Sequence, residues 1–163
     1  MAVVDSSVLI LLSRVNKLSL LKTYFKNIAI TKEIYNEVRV GIGASDIEKA
    51  CKQWIKIDKP KDFNEINNIS KLEDIESADA SIILLAEEKK DTLLSNDYAL
   101  IMVARGKGIE CWWLTTFLLR CLKKKLITKQ EAKRILFDLI EAGMRLHNVV
   151  YAAILKEIDN NYK

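Results

Sequence analysis

Four carboxylates, Asp5, Glu37, Asp79 and Asp97, stand where an apolar strand or helix face ordinarily carries no charge. Asp5 ends the run Ala2-Val3-Val4, and Asp97 follows Thr92-Leu93-Leu94-Ser95-Asn96. Asp79 opens the apolar stretch from Ala78 to Ala86, and Glu37 lies beside Ile34 and Val38. Several carboxylates sharing a few ångströms cannot all ionise without compensation, since each raises the pKa of the next. Mg²⁺ or Mn²⁺ supplies that compensation, being a hard cation that prefers oxygen ligands and retains waters. Its bound water becomes a better nucleophile, and a second ion can stabilise the leaving oxygen of a phosphodiester. The chemistry implied is metal-dependent nuclease chemistry. His147 is the only histidine, which excludes a mechanism built on several histidines and a His-rich metal site.

Such residues converge only if the fold places them, and the hydropathy pattern predicts how. Ala2 to Val4 reads as a buried strand, followed by helices over Ser7 to Ser13 and Leu18 to Phe25. Asn27 to Ile30 reads as a second strand. Thr31 then suits an N-cap for a helix carrying Ile34, Glu37 and Val38, closed by Gly41 and Gly43. Asp46 to Gln53 is expected to be helical and Trp54 to Asp58 strand-like. The polar stretch Lys61 to Asp74 reads as a loop or irregular helix. Ser77, as cap, starts a helix to Lys90; Thr92 to Ser95 is a strand, Tyr98 to Arg105 a helix, and Ile109 to Leu114 a last strand. Strands separated by helices of about ten residues imply a parallel sheet covered on both faces.

In such a sheet, ligands bind beyond the carboxyl ends of the strands, where strand order reverses. Asp5 and Asp97 each follow a strand and precede a helix, so both belong to that rim. Asp79 shares a helix face with Ile82, Ile83 and Ala86, and Glu37 borders the inward stripe of its own helix. Glu33, one turn earlier, competes with Glu37. Each carboxylate also has an ordinary explanation: Asp5 and Asp97 as N-caps, Asp79 as a first-turn charge, Glu37 as a surface residue.

The 163 residues fit one domain, half hydrophobic and 29% charged, with a net charge of +4. That charge permits nucleic-acid binding without demanding it. Apolar runs are too short to span a bilayer, and Asp5 interrupts the only apolar start, so a secretory signal is not expected. The expected location is the cytoplasm. Cys51, Cys111 and Cys121 are odd in number and widely spaced, and read as small core residues.

The acidic segments resemble those of a known family. Val4-Asp5-Ser6-Ser7-Val8-Leu9-Ile10 resembles the opening motif of PIN-domain ribonucleases, and Glu33-Ile34-Tyr35-Asn36-Glu37-Val38 their second acidic motif. Ser77-Ala78-Asp79-Ala80-Ser81-Ile82-Ile83 and Leu94-Ser95-Asn96-Asp97-Tyr98-Ala99-Leu100 resemble the third and fourth, in the right order. The resemblance implies a three-layer α/β/α, flavodoxin-like fold over residues 1–125, with a helical extension over 126–163 packed on the same domain. It also implies a Mg²⁺- or Mn²⁺-dependent endoribonuclease with Asp5, Glu37, Asp79 and Asp97 as catalytic metal ligands, supported by Ser6, Ser95 and Asn96. A homodimer is implied too. Many small members are VapC-type toxins held by a VapB-type antitoxin, and others process RNA. Asn96 stands where relatives often carry a further acid, which lowers the negative charge available to a second metal.

Among the basic residues, Lys32, Arg39, Arg105 and Lys107 are the expected RNA contacts near the rim. The run Arg120, Lys123, Lys124, Lys125, Lys129, Lys133 and Arg134 reads first as a solvated helix face and second as a phosphate guide. Trp112 and Trp113 are adjacent on a strand and must point to opposite faces. Beyond Thr115 the pattern is helical only, over Thr116 to Lys124, Thr128 to Glu141 and Asn148 to Asp159, with a break at Gly143. Two other functions compete with the nuclease. One is phosphoryl transfer through Asp5, for which a haloacid-dehalogenase-like pattern wants a second Asp where Ser7 stands. The other is a catalytically weak PIN fold that only binds RNA or protein.

Overall fold

The computed structural model describes residues 1–161, apart from the side chains of Phe63 and Asn161, and in it strands alternate with helices. In chain order these are β1 (Ala2–Val4), α1 (Ser6–Arg14), α2 (Ser19–Phe25), β2 (Ile28–Thr31), α3 (Lys32–Val38), α4 (Ala44–Gln53) and β3 (Ile55–Asp58). Then follow α5 (Phe63–Glu73), α6 (Ser77–Lys89), β4 (Thr92–Ser95), α7 (Tyr98–Gly106), β5 (Cys111–Trp113), α8 (Leu114–Lys123), α9 (Lys129–Glu141) and α10 (Asn148–Asn161).

Every residue of β1 and β2 is buried, the pattern of strands covered on both faces in a parallel sheet. All pairings are parallel, in the order β3-β2-β1-β4-β5. Strands β2 and β3 extend from one side of β1, and β4 and β5 from the other. Strand order therefore reverses at β1, and the crevice opens beyond Val4 and Ser95. Helices α1, α4, α8 and α9 pack together on one side, while α6 lies across β1, β2 and β4 with α5 and α7 beside it. This is the expected three-layer α/β/α arrangement.

Three boundaries differ from the sequence reading, each for a local reason. The expected loop or irregular helix at Lys61 to Asp74 contains a regular helix, α5. Asp62 caps it by accepting from the Asn64 and Glu65 amides, and Ile66 and Ile69 bury against Ala80 and Leu84 of α6. The cap of α6 is Glu76 rather than Ser77, and its side chain makes no capping hydrogen bond. The last strand is shorter than expected, because the Ile109 amide closes the end of α7 on the Ala104 carbonyl and Leu114 already begins α8.

The helical tail is sewn onto the domain. Helix α9 packs on α8 and α1, and α10 on α9 and α8; Ile135, Leu136, Leu139, Ile154 and Ile158 join the main core. Arg14, at the end of α1, donates to the Ala142 carbonyl at 3.0 Å. Residues 162–163, the end of the expected extension, lie outside the described residues.

Candidate active site

The site begins with the turn from β1 into α1. Asp5 leaves the sheet in extended conformation and caps α1, taking the Ser6 amide at 2.6 Å and the Ser7 amide at 3.4 Å. The cap explanation therefore holds, yet capping does not exhaust the residue. Asp5 is only 3% exposed, and a buried carboxylate has to be hydrogen-bonded from all sides. The Ser7 hydroxyl donates to Oδ2 at 2.5 Å and the Ser95 hydroxyl to the same oxygen at 2.9 Å. Both hydroxyls are themselves fixed from β4 and its exit: the Asn96 amide donates to Ser7 Oγ at 3.1 Å, and the Asp97 amide to Ser95 Oγ at 2.9 Å. Two backbone N–H groups thus act through two serines to hold one carboxylate. Since β1 and β4 are paired neighbours, this clamp spans the point where strand order reverses.

Asp97 caps α7 with Oδ1, accepting from the Leu100 amide at 2.9 Å. Its Oδ2 accepts no hydrogen bond among the described residues, and the residue is exposed. Asp79 stands in the first turn of α6. Burial is the main cause that pushes its carboxyl up to about 7, and the negative charges of Asp5, Asp97, Glu37 and Glu76 push the same way. Glu37, in the last turn of α3, is also raised. Desolvation of the carboxyl leads, although the residue as a whole is exposed; a hydrogen bond from Ser6 opposes it, and the charges of Asp5 and Glu76 add to it. Ser6 sits between the two acids, with its hydroxyl 3.3 Å from Asp5 Oδ1.

A second device aligns α3 with α6. Thr31 caps α3 by accepting from the Ile34 amide at 3.3 Å. The fully buried Ser81 hydroxyl meets Thr31 Oγ1 at 2.8 Å and the Ala78 carbonyl at 2.7 Å. Asp79, two residues before Ser81, and Glu37, six after Thr31, are thereby set on one side of the crevice.

The charges of Asp5, Glu37 and Asp97 all bear on Asp79, and that of Asp5 on Glu37. The four carboxylates form an open cluster rather than a closed cage: among the described residues, no three His, Cys, Asp or Glu side chains stand at the spacing of a ready metal site. Glu33 has no part in the coupling seen at Asp79 and Glu37. Glu76 does, and sequence reading missed it, although it lies three residues before Asp79 as the N-cap of the same helix. Ser7 was likewise passed over in favour of Ser6.

The expected RNA contacts divide. Lys32 begins α3 at the carboxyl end of β2, the same end of the sheet as Asp5. Arg39 lies past the far end of α3 with its guanidinium over the Tyr35 ring at 5.7 Å. Arg105 and Lys107 are displaced from the rim. Helix α7 starts at the crevice and runs away from it, so Arg105 meets the Cys111 carbonyl at the entry of β5, 3.3 Å away. Lys107 borders a hollow with Asp91 and Glu110 at that same end. The longer basic run is also engaged elsewhere: Arg120 covers Trp112 and Lys124 covers Tyr24, each at 3.8 Å, and Lys133 pairs with Asp159 at 2.7 Å. Trp112 and Trp113 do point to opposite faces, the first into a cluster with Tyr24 and Phe25, the second towards Tyr98.

A family model described as a PIN domain matches residues 1–160. The chain belongs to the PIN-domain family. The match runs through the helical tail as well as the sheet. In fold, this PIN protein is similar to the crystal structure of PAE2754 from Pyrobaculum aerophilum, at 21% sequence identity and a TM-score of 0.55, over 73% of this chain and 93% of that one. No curated protein matches it. A nuclease-type fold, and with it hydrolase chemistry at the coarse level, follows from the family. Among the described residues, no helix is long and apolar enough to cross a membrane.

Proposed function

We propose that the acidic crevice is the active centre of a Mg²⁺- or Mn²⁺-dependent endoribonuclease. The observation that carries this reading is the state of Asp79. Its carboxyl is held near 7 by burial and by four other acids, three of which, Asp5, Glu37 and Asp97, come from other parts of the chain. Like charges about 6 Å apart repel by roughly 3 kcal/mol at an effective dielectric constant near 20. A fold that gathers them stores that repulsion until a proton or a cation relieves it.

The donor set fits a hard divalent ion, because every candidate ligand is a carboxylate oxygen and neither cysteine nor histidine takes part. Asp5, Glu37, Asp79 and Asp97 would hold it, with Glu76 adding charge behind Asp79 and Glu37. When bound, such an ion acidifies a coordinated water and offsets charge on the scissile phosphate. The residues themselves do the positioning. Ser7 and Ser95 fix the orientation of Asp5, so one geometry is presented rather than several. Asp97 keeps Oδ2 free of protein partners. Asn96 contributes its amide to the clamp and no charge to the cluster.

RNA incubated with the purified protein and Mn²⁺ or Mg²⁺ should be cut internally, and excess chelator should stop it. Retained cleavage in chelator would sink the reading. The openness of the cluster favours a second reading, a PIN fold that binds RNA or protein with little catalysis. Calorimetry with Mn²⁺ separates the two, since a pure binding module need show no heat of ion binding that Asp79→Asn removes. The wider role proposed from the family resemblance is that of a homodimeric, cytoplasmic toxin restrained by a small antitoxin, with RNA processing as the other option. Growth arrest on expression, abolished by Asp5→Asn, tests the toxin role.

A further inference from the structure

Next to the acidic crevice lies a cleft of about 780 Å³ whose walls come from three separated parts of the chain: Asn96, Asp97 and Tyr98, then Trp113, then Arg145 and His147. Its volume falls in the usual range of small-ligand sites, about 300–1,000 Å³. Nothing in the metal-site argument uses it. Asp97 belongs to both, so whatever fills the cleft continues directly into the crevice.

The side chains here differ in kind from those of the crevice. Tyr98 is 69% exposed although it is a large aromatic residue. Trp113 lies beside it, ring centroids 6.4 Å apart and planes inclined by 28°. Both rings line the cleft. Opposite stands the loop between α9 and α10, which brings Arg145 and His147. Arg145 is exposed and forms no ion pair among the described residues, in contrast to Lys133, Lys89 and Lys52. A planar guanidinium suits bidentate contact with phosphate, and flat rings accept any base by stacking.

We infer that this cleft holds an unpaired nucleotide next to the phosphate to be cut, its base against Tyr98 and Trp113 and its phosphate against Arg145, assisted by His147. The inference rests on the nuclease reading and adds to it the side chains that hold the substrate beside the cut. A base inside a duplex keeps both faces stacked on its neighbours and offers none to the rings. The Arg145 charge also answers a difficulty of the crevice, whose carboxylates repel an incoming phosphodiester. Arg145 attracts the chain from the flank, where Asp97 is the one carboxylate of the four to line the cleft. The tail thereby becomes one wall of the substrate path.

The test is RNA binding in chelator, where cleavage plays no part, by fluorescence anisotropy with one labelled oligonucleotide as a single strand and as a duplex. Single-strand preference is expected. Tyr98→Ala and Arg145→Glu should each weaken single-strand binding about five- to hundredfold, matching about 1–3 kcal/mol for a lost stack. Both residues are exposed, so unchanged melting curves will show that the variants fold. With Mn²⁺, the same variants should raise KM and leave kcat within a few fold. Duplex binding as tight as single-strand binding overturns the inference, as does wild-type affinity in both variants. So does a change of oligomeric state in Tyr98→Ala with RNA affinity intact, which would make the cleft a protein interface. Cleavage that survives with KM unmoved refutes the cleft and spares the nuclease reading. Binding lost in both variants, in a protein that never cuts RNA, does the reverse.

Discussion

At the scale of single residues, the informative fact is that one side chain does two jobs. Asp5 is both an N-cap and the most enclosed member of the acidic cluster, so the ordinary explanation and the functional one do not compete. Asp5→Asn should keep the fold and the cap while removing one of the charges proposed to hold the ion, and RNA cleavage should fall about a hundredfold or more. Steady-state rates beside a circular dichroism spectrum would show it; near-normal rates would count against the metal role. Ser95→Ala should cost about tenfold, as expected of a group that orients a ligand.

Asp79 makes a prediction about pH. Its carboxyl sits at about 7 in the fold against an ordinary 3.8, so between those values the folded chain keeps a proton that the unfolded chain has released. The sign follows from linkage: this contribution to stability is complete below about pH 4 and is lost as pH rises through about 7. Asp58 has the opposite sense, drawn down to about 2 chiefly by Lys89, but it acts only below about pH 4. Melting of the metal-free protein from pH 5 to 8 should therefore show a decline that Asp79→Asn flattens. Saturating Mn²⁺ should flatten it as well. Parallel wild-type and Asp79→Asn profiles would exclude the coupling.

At the scale of elements, strand and helix positions were legible because hydrophobic period and turn residues agreed. Thr31 is a case in point: its predicted cap is the observed one. Helix α5 was obscured because Asn64, Asn67 and Asn68 are poor helix formers, and the two isoleucines that stabilise it find their partners only on α6. Among the acids, order and spacing along the chain pointed to four. Glu76 escaped notice because its charge matters through distance in space, and its place in sequence looked like a helix start. Arg105 and Lys107 were misplaced for a geometric reason: a nine-residue helix carries its far end about 13 Å from its start, so nearness in sequence to Asp97 is not nearness to the rim. The Thr31–Ser81 contact belongs at this scale too. Ser81→Ala should lower stability by about 1 kcal/mol and weaken Mn²⁺ binding, read by urea denaturation and calorimetry. A loss of stability with unchanged ion affinity would show that the contact only supports the core.

At the scale of the whole molecule, the tail is structural. A chain ending at residue 147 would lose the buried Ile154 and Ile158 and uncover the α8–α9 side they pack against. Each buried isoleucine is worth about 1.5–3 kcal/mol, so the shortened protein should melt well below the full chain or fail to fold. A melting point within a few degrees of the full chain would show the tail to be an appendage.

The pairing of β1 with β4 has one more consequence, for the order of events at the ribosome. Ser95, which donates to Asp5, is made 90 positions after it. At about 5–20 residues per second, the first carboxylate waits about 5 to 20 seconds for its neighbour to be made. On the proposed reading the site is incomplete until then, and nascent chains stalled before Ser95 should take up no Mn²⁺.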